Sequence, residues 1–107
     1  MSDYLPNIYQ RFRGEYANVM EAFDKFAETT HAAGPLTDRE RRLANLGIAI
    51  GCSSEGGVRS HARKALGEGL SPEAIRHVAV LAISTAGYPA AIAGYKWINQ
   101  VLDRQTT

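Results

Sequence analysis

Residues 71–95 read Ser71-Pro-Glu-Ala-Ile-Arg-His-Val-Ala-Val-Leu-Ala-Ile-Ser-Thr-Ala-Gly87-Tyr-Pro-Ala-Ala-Ile-Ala-Gly-Tyr95. A serine cap followed by proline predicts the start of a helix, and Gly87-Tyr88-Pro89 predicts its end and the start of another. On both sides of that break, residues 78–83 and 90–95 present apolar side chains in every direction. A helix that is hydrophobic all round must be buried on all sides. The stretch therefore predicts two helices, over 75–86 and about 90–103, that need partners on every face.

Helical patterns also dominate the residues before this stretch. Apolar residues at steps of three or four predict one long amphipathic helix over about 7–31, with Gly14 as a weak point. Thr37 and Glu40 have capping-box spacing, and Ser53 or Ser54 can cap a third helix that ends at the glycines 67 and 69. No segment alternates with a period of two. We therefore expect an all-α fold of about five helices.

The apolar composition of the last two helices has a consequence for assembly. In a domain this small, few helices can be surrounded by their own chain, and large exposed apolar patches mark interfaces in proteins. Small residues such as Ala79, Ala82, Ala91 and Gly94 also permit close helix approach. We therefore expect the protein to form a homo-oligomer.

Composition limits the protein to a few classes. At 107 residues we expect one domain over 1–107, because a second would be too small for its own core. The net charge of +1 with interspersed acids and bases argues against a nucleic-acid partner. No uninterrupted apolar run spans a membrane, the first residues lack the features of a signal peptide, and one cysteine suits a reducing compartment. We therefore expect a soluble, cytoplasmic protein.

Several motifs occur in a recognisable order between Leu36 and Leu102. They are Gly34-Pro-Leu-Thr-Asp-Arg-Glu, Ala49-Ile-Gly-Cys, Glu55-Gly-Gly-Val-Arg-Ser-His61, Lys64-Ala-Leu-Gly-Glu-Gly-Leu-Ser-Pro-Glu-Ala-Ile75 and Thr85-Ala-Gly-Tyr-Pro-Ala-Ala91. This order resembles the carboxymuconolactone decarboxylase and alkylhydroperoxidase D-like superfamily, with the family core over about 36–102. The resemblance implies an all-helical fold built on an antiparallel helix pair. It also implies obligate oligomers, often trimers or hexamers.

The sequence departs from the peroxidase branch of that superfamily. The motif of that branch is Cys-x-x-Cys-x-x-x-His. Counting back from His61 places Ser54 and Gly57 in the two thiol positions of the motif. Cys52 lies two residues before the first of them and has no partner. Disulfide exchange needs one thiolate to attack and a second to resolve, so this chain cannot run that cycle within itself. It resembles the decarboxylase branch more closely.

His61 is the principal candidate for chemistry. An imidazole titrates near neutral pH and suits general acid–base catalysis, although a histidine on the apolar face of a helix is often a structural, hydrogen-bonded one. Ser54, Gly57 and His61 share a face at spacings of three and four. Glu55 is a second candidate, yet six residues place it about 240° from His61, and a first-turn carboxylate also stabilises a helix by itself.

The remaining candidates are Cys52, Arg39 and Arg42. A lone cysteine is often only a small buried hydrophobe, and it becomes reactive in an electropositive environment. Either arginine could bind a substrate carboxylate through two hydrogen bonds, and Ser54 could also contact the substrate. The histidines have no metal-like spacing, so we expect neither a metal nor a cofactor.

Three functions follow as hypotheses. In the leading one the protein is decarboxylase-like and acts without a cofactor on a small carboxylated or lactone-type metabolite. His61 moves protons, Glu55 assists it and an arginine holds the carboxylate. The alternatives are a thiol redox protein that uses Cys52 and a non-catalytic oligomeric module that binds a ligand.

Overall fold

The computed structural model of the chain describes residues 7–106, and over those residues it is all-helical. Its helices are α1 (Asn7–Glu15), α2 (Ala17–His31), α3 (Asp38–Gly51), α4 (Glu55–Gly67), α5 (Pro72–Ala86) and α6 (Tyr88–Thr106). The predicted all-α class is confirmed, with six helices instead of about five. Residues 1–6, in which we expected no signal peptide, lie outside the described part.

The extra helix arises because the long helix expected over about 7–31 is interrupted at Tyr16. This residue has φ −125° and ψ 54°, outside the helical region. Across the break, Arg13 Nη1 and Nη2 donate to the two carboxylate oxygens of Asp24 at 2.9 and 3.1 Å. Eleven residues of continuous helix would separate the two Cα atoms by about 16 Å, so this ion pair requires the bend. Gly14, with its low helix propensity, weakens the helix beside it.

Side-chain caps set the start of the next three helices. Thr37 Oγ1 accepts from the Glu40 amide at 3.1 Å, and Glu40 Oε1 accepts from the Thr37 amide at 2.9 Å, which completes the capping box of α3. Ser54 and Ser71 cap α4 and α5. Each cap satisfies amide groups that have no partner within the helix. The sequence therefore placed all three helix starts correctly.

The connection between α5 and α6 is shorter than the three-residue break that the sequence suggested. Only Gly87 lies outside the helices, with φ 98°, a conformation that glycine adopts without steric cost. Pro89 lies in the first turn of α6, where a missing amide hydrogen breaks no intrahelical bond. The chain thus passes from one apolar helix directly into the next.

From Leu36 onward, the core of the chain lies between α3, α4, α5 and α6. The largest contacts join α5 to α6 and α3 to α4. Its fully buried larger side chains are Leu46, Ile50, Val58, Ile75, Ile98, Val101 and Leu102. At Gly94 a Cβ atom would lie 2.9 Å from Ile50 Cγ1, so α3 and α6 approach closely because position 94 has no side chain. This four-helix arrangement holds the candidate site described below.

The chain divides by contact density into two compact units, one up to Pro35 and one from Leu36 onward. The second unit contains the family core that the resemblance placed over about 36–102. The assignment of the whole chain to one domain stays a prediction.

Both units carry exposed apolar side chains. In the first unit they are Ile8, Tyr9, Phe12, Tyr16, Val19, Phe23 and Phe26, and in the second Leu36, Ile48, Val80, Leu81, Ile83, Tyr88, Ile92 and Tyr95. The helices over 75–86 and 90–103 are therefore buried on one side only in the single chain, through residues such as Ala79, Ala82 and Ala91. Burial on all sides needs further partners, and self-association stays a prediction. Across residues 7–106, no helix has both the length and the apolar character needed to span a membrane.

Candidate functional site

His61 lies in the middle of α4, on the side that faces the core. Val58, Ala62 and Ala65 on the same helix are fully buried, and His61 itself is half-buried. Those neighbours fix the rotation of α4 and therefore the direction in which the imidazole leaves the helix. Arg42, from the second turn of α3, donates from Nη1 to His61 Nδ1 at 2.8 Å. The structure thus brings together two of the residues that the sequence singled out.

Arg42 also forms a bidentate ion pair with Glu68, the C-cap residue of α4. Its Nε and Nη2 atoms donate to Glu68 Oε1 and Oε2 at 3.0 and 2.9 Å. The Arg42 side chain is only 14% exposed, against 47% for Glu68. We refer to Glu68, Arg42 and His61 as the Arg42 network. It joins the start of α3 to the middle and the end of α4.

The charge of Glu68 responds to this arrangement. The hydrogen bonds from Arg42 lower the pKa of the Glu68 carboxyl, and they outweigh the desolvation that raises it. Asp38 raises the same pKa slightly and Lys64 lowers it. The carboxylate is therefore held in its charged form, which is the form that can accept both bonds from a guanidinium.

Glu68 is the member of this network that the sequence analysis missed. It follows His61 by seven residues, about two helical turns, so the two positions share a face of α4. This seven-residue spacing could have indicated Glu68 as a candidate from the sequence alone. Its link through Arg42 spans 26 residues in sequence, and no local pattern reveals it.

Glu55 is not brought to His61. Its Oε2 atom accepts from Arg59 Nε and Nη2 at 3.2 and 3.1 Å, one turn further along α4. Arg59 also donates to Gln100 on α6. This agrees with the separation of about 240° around the helix that six residues impose. In the single chain the carboxylate near His61 comes from Glu68.

The two positions that hold thiols in the peroxidase branch serve the start of α4 here. Ser54 Oγ accepts from the Gly57 amide at 3.2 Å, which caps the helix. A Cβ atom at Gly57 would lie 2.8 Å from that Oγ and 3.2 Å from Ala49 Cβ, so only glycine fits there without a shift. Cys52 is exposed at the C-cap of α3, separated from Ser54 by Ser53, which has a positive φ of 54°. Each of these residues has a local structural role.

The two candidate arginines differ in what they contact. All three nitrogen atoms of the Arg42 guanidinium are engaged by Glu68 and His61. Arg39 is exposed, and within residues 7–106 it forms no ion pair. Arg39 is therefore the arginine whose donors can turn to a ligand.

Comparison with known proteins agrees with the fold and with the motif order. The structure superposes on the apo crystal structure of a carboxymuconolactone decarboxylase family protein from Legionella pneumophila with a TM-score of 0.71 and 18% identity, covering 87% of this chain and 86% of that one. At that identity the likeness concerns the fold alone. No curated protein matches the sequence. The sequence model described as the carboxymuconolactone decarboxylase family matches residues 17–100, which is more than half of the chain. The chain therefore belongs to the carboxymuconolactone decarboxylase family.

Proposed function

We propose that the protein acts without a cofactor on a small carboxylated or lactone-type metabolite, and that His61 is the group that interacts with the reacting atoms. The observation that carries this proposal is the hydrogen bond from Arg42 to His61 within a chain of this family. A structural histidine is commonly hydrogen-bonded to the backbone or to a carboxylate, whereas the partner of the His61 ring nitrogen is a cation, Arg42. The Arg42 side chain that donates this hydrogen bond is mostly buried.

The reaction that fits these groups is loss of carbon dioxide. The bond between the carboxylate carbon and the substrate breaks, and its electron pair moves into a conjugated carbonyl to give a dienolate-like anion. A proton from water then adds to the carbon that lost the carboxylate, so that one proton is consumed for each carbon dioxide released. Fixed donors near the developing oxyanion lower the barrier to the first step.

Arg39 suits the role of holding the substrate carboxylate. A guanidinium binds a carboxylate through two parallel hydrogen bonds, and within residues 7–106 Arg39 forms no ion pair that would occupy its donors. Arg42 is committed to Glu68, so its role is to support His61. Glu55 and Cys52 have no part in the proposed site in a single chain.

The test is release of carbon dioxide from carboxymuconolactone and a panel of other carboxylated unsaturated lactones. We expect the wild-type protein to release carbon dioxide from at least one of them, and His61→Gln to lower the rate at least about a hundredfold, as loss of a general acid–base or oxyanion donor does. His77→Gln is the matched control, because His77 is an exposed histidine on α5, outside the Arg42 network. It should leave the rate unchanged.

Two results would overturn the proposal. One is turnover that survives His61→Gln at the wild-type rate, which would place the chemistry elsewhere. The other is saturable binding of these lactones with no release of carbon dioxide from any of them. That outcome would favour the non-catalytic ligand-binding module.

We further propose that the working form is a homo-oligomer, a trimer or a hexamer. The exposed apolar side chains on α5 and α6 support it, since patches of this kind on proteins usually mark interfaces.

A further inference from the structure

The Arg42–His61 hydrogen bond has only one direction. A guanidinium carries N–H donors and no acceptor, and it stays protonated at any pH a protein tolerates. His61 Nδ1, which is 2.8 Å from Arg42 Nη1, must therefore accept the bond through a lone pair. A nitrogen that accepts carries no proton, so the ring proton of neutral His61 is on Nε2.

Two alternative states of the ring conflict with this contact. The tautomer with its proton on Nδ1 would place an N–H against the N–H of Arg42. The imidazolium would do the same, because both of its ring nitrogens carry a proton. Both are disfavoured as long as Arg42 stays where it is.

Glu68 keeps Arg42 in that position. Its two oxygens accept from Nε and Nη2, which leaves Nη1 directed at His61. The fork geometry of a bidentate pair fixes the plane of the guanidinium as well as its distance. A glutamine at position 68 would have only one acceptor oxygen and no charge, so it could not hold both nitrogens.

We propose that Glu68 is a positioning residue that, through Arg42, holds His61 as the neutral tautomer protonated on Nε2, and that His61 therefore acts on the substrate as a hydrogen-bond donor to a carbonyl or enolate oxygen. The role toward substrate rests on the proposed function, whereas the tautomer does not. In this state Nε2 has no lone pair with which to remove a proton from carbon. The imidazole thus stabilises negative charge on oxygen.

The donor role narrows the substrate class. The substrate needs an acceptor oxygen conjugated with the carbon that loses carbon dioxide, as in an unsaturated lactone or a keto acid. Negative charge that develops on that oxygen strengthens the hydrogen bond from Nε2 in the transition state, which is the requirement for catalysis. Carboxylates without a conjugated carbonyl lack such an oxygen and should not react.

The test uses nitrogen-15 NMR of the whole protein with labelled histidine, without any substrate. For wild type at pH 7 we expect the His61 Nδ1 resonance in the range of an unprotonated ring nitrogen and Nε2 in the range of a protonated one. In Glu68→Gln and Arg42→Met the two resonances should shift toward each other, because the tautomers then exchange. Lys96→Gln is the matched control: Lys96 is an exposed residue on α6, outside the Arg42 network, and its loss should leave the His61 signals unchanged.

A wild-type spectrum with the proton on Nδ1, or a charged ring at pH 7, would overturn the proposal outright. A Glu68→Gln spectrum identical to wild type would overturn the part assigned to Glu68. Backbone amide spectra of each variant check that it is folded, and the wild-type spectrum needs no variant at all. Because no substrate is present, these results stand independently of whether carbon dioxide is released from any lactone.

Discussion

Gly94 shows how a single atom controls the approach of two helices. A Cβ atom at this position would lie 2.9 and 3.0 Å from the γ carbons of Ile50, which is fully buried on α3. We expect Gly94→Ala to lower the free energy of unfolding by about 1–3 kcal/mol, since an extra methyl group in a packed core forces neighbours to shift. Urea denaturation measures the change.

Gly67→Ala is the matched control for that substitution. Gly67 also lies in a helix, but a Cβ atom there would meet nothing within 4 Å. It should be neutral or stabilising by up to about 1 kcal/mol, because alanine has the higher helix propensity. Equal losses of stability at the two positions would show that helix propensity, not the contact with Ile50, decides the effect.

Glu68 makes stability depend on pH. The Arg42 hydrogen bonds place its folded pKa below the unfolded value of about 4.3. A group of this kind contributes stability above the unfolded pKa and loses it as the pH falls through the folded pKa. At pH 7 we expect Glu68→Gln to cost about 0.5–1 kcal/mol, a modest figure because the side chain is half-exposed.

Denaturation at a series of pH values checks this expectation. The difference between wild type and Glu68→Gln should shrink progressively below about pH 4. A difference that stays constant from pH 7 to pH 3 would mean that the charge of Glu68 does not stabilise the fold.

The caps are the features of each helix that sequence reasoning recovers best. Thr37 and Glu40 bond each other's backbone at the start of α3, as their spacing predicted. We expect Thr37→Ala to cost about 1 kcal/mol in the free energy of unfolding, and Thr37→Ser, which keeps the hydroxyl, to cost only a few tenths. Thermal denaturation compares the two. Equal losses would point to the methyl group of Thr37 instead of its hydroxyl.

The helix boundaries that were missed have two different causes. Hydrophobic periodicity continues unbroken through Tyr16, and although Gly14 marked a weak point beside it, no local pattern indicated that Arg13 would pair with Asp24 across a break in the helix. The break between α5 and α6 was overestimated for a local reason: Pro89 fits the first turn of α6, so Gly87 alone separates the two helices. Caps depend on neighbouring residues and can be read from sequence. Bends that depend on contacts between distant residues cannot.

The sequence predicted only part of the candidate site, because one of its links joins two helices. His61 was found from its residue type and its face on α4, and the angle around that helix correctly separated it from Glu55. Glu68 shares the face of His61 two turns later, but its relevance depends on Arg42 from another helix. That link exists only in the packed structure.

At the scale of the whole molecule, we expect the chains to assemble into a trimer or a hexamer. Light scattering should give the mass of three or six chains at micromolar concentration. Leu81 and Ile92 are exposed apolar residues on α5 and α6. Leu81→Asp or Ile92→Asp should shift the protein toward the monomer, because a charge is costly to bury in an interface. Lys64→Asp, at an exposed polar position on α4, should not. A stable wild-type monomer would contradict the expectation.

The central claim is that His61 is the group that meets the substrate. The most direct measurement is titration of carboxymuconolactone into protein with nitrogen-15-labelled histidine, at low temperature and short times so that the ligand persists. We predict that the ring signals of His61 shift saturably while those of His31 and His77 stay in place. A saturable shift at either of the other histidines with none at His61, or no shift at any of the three, would contradict the account.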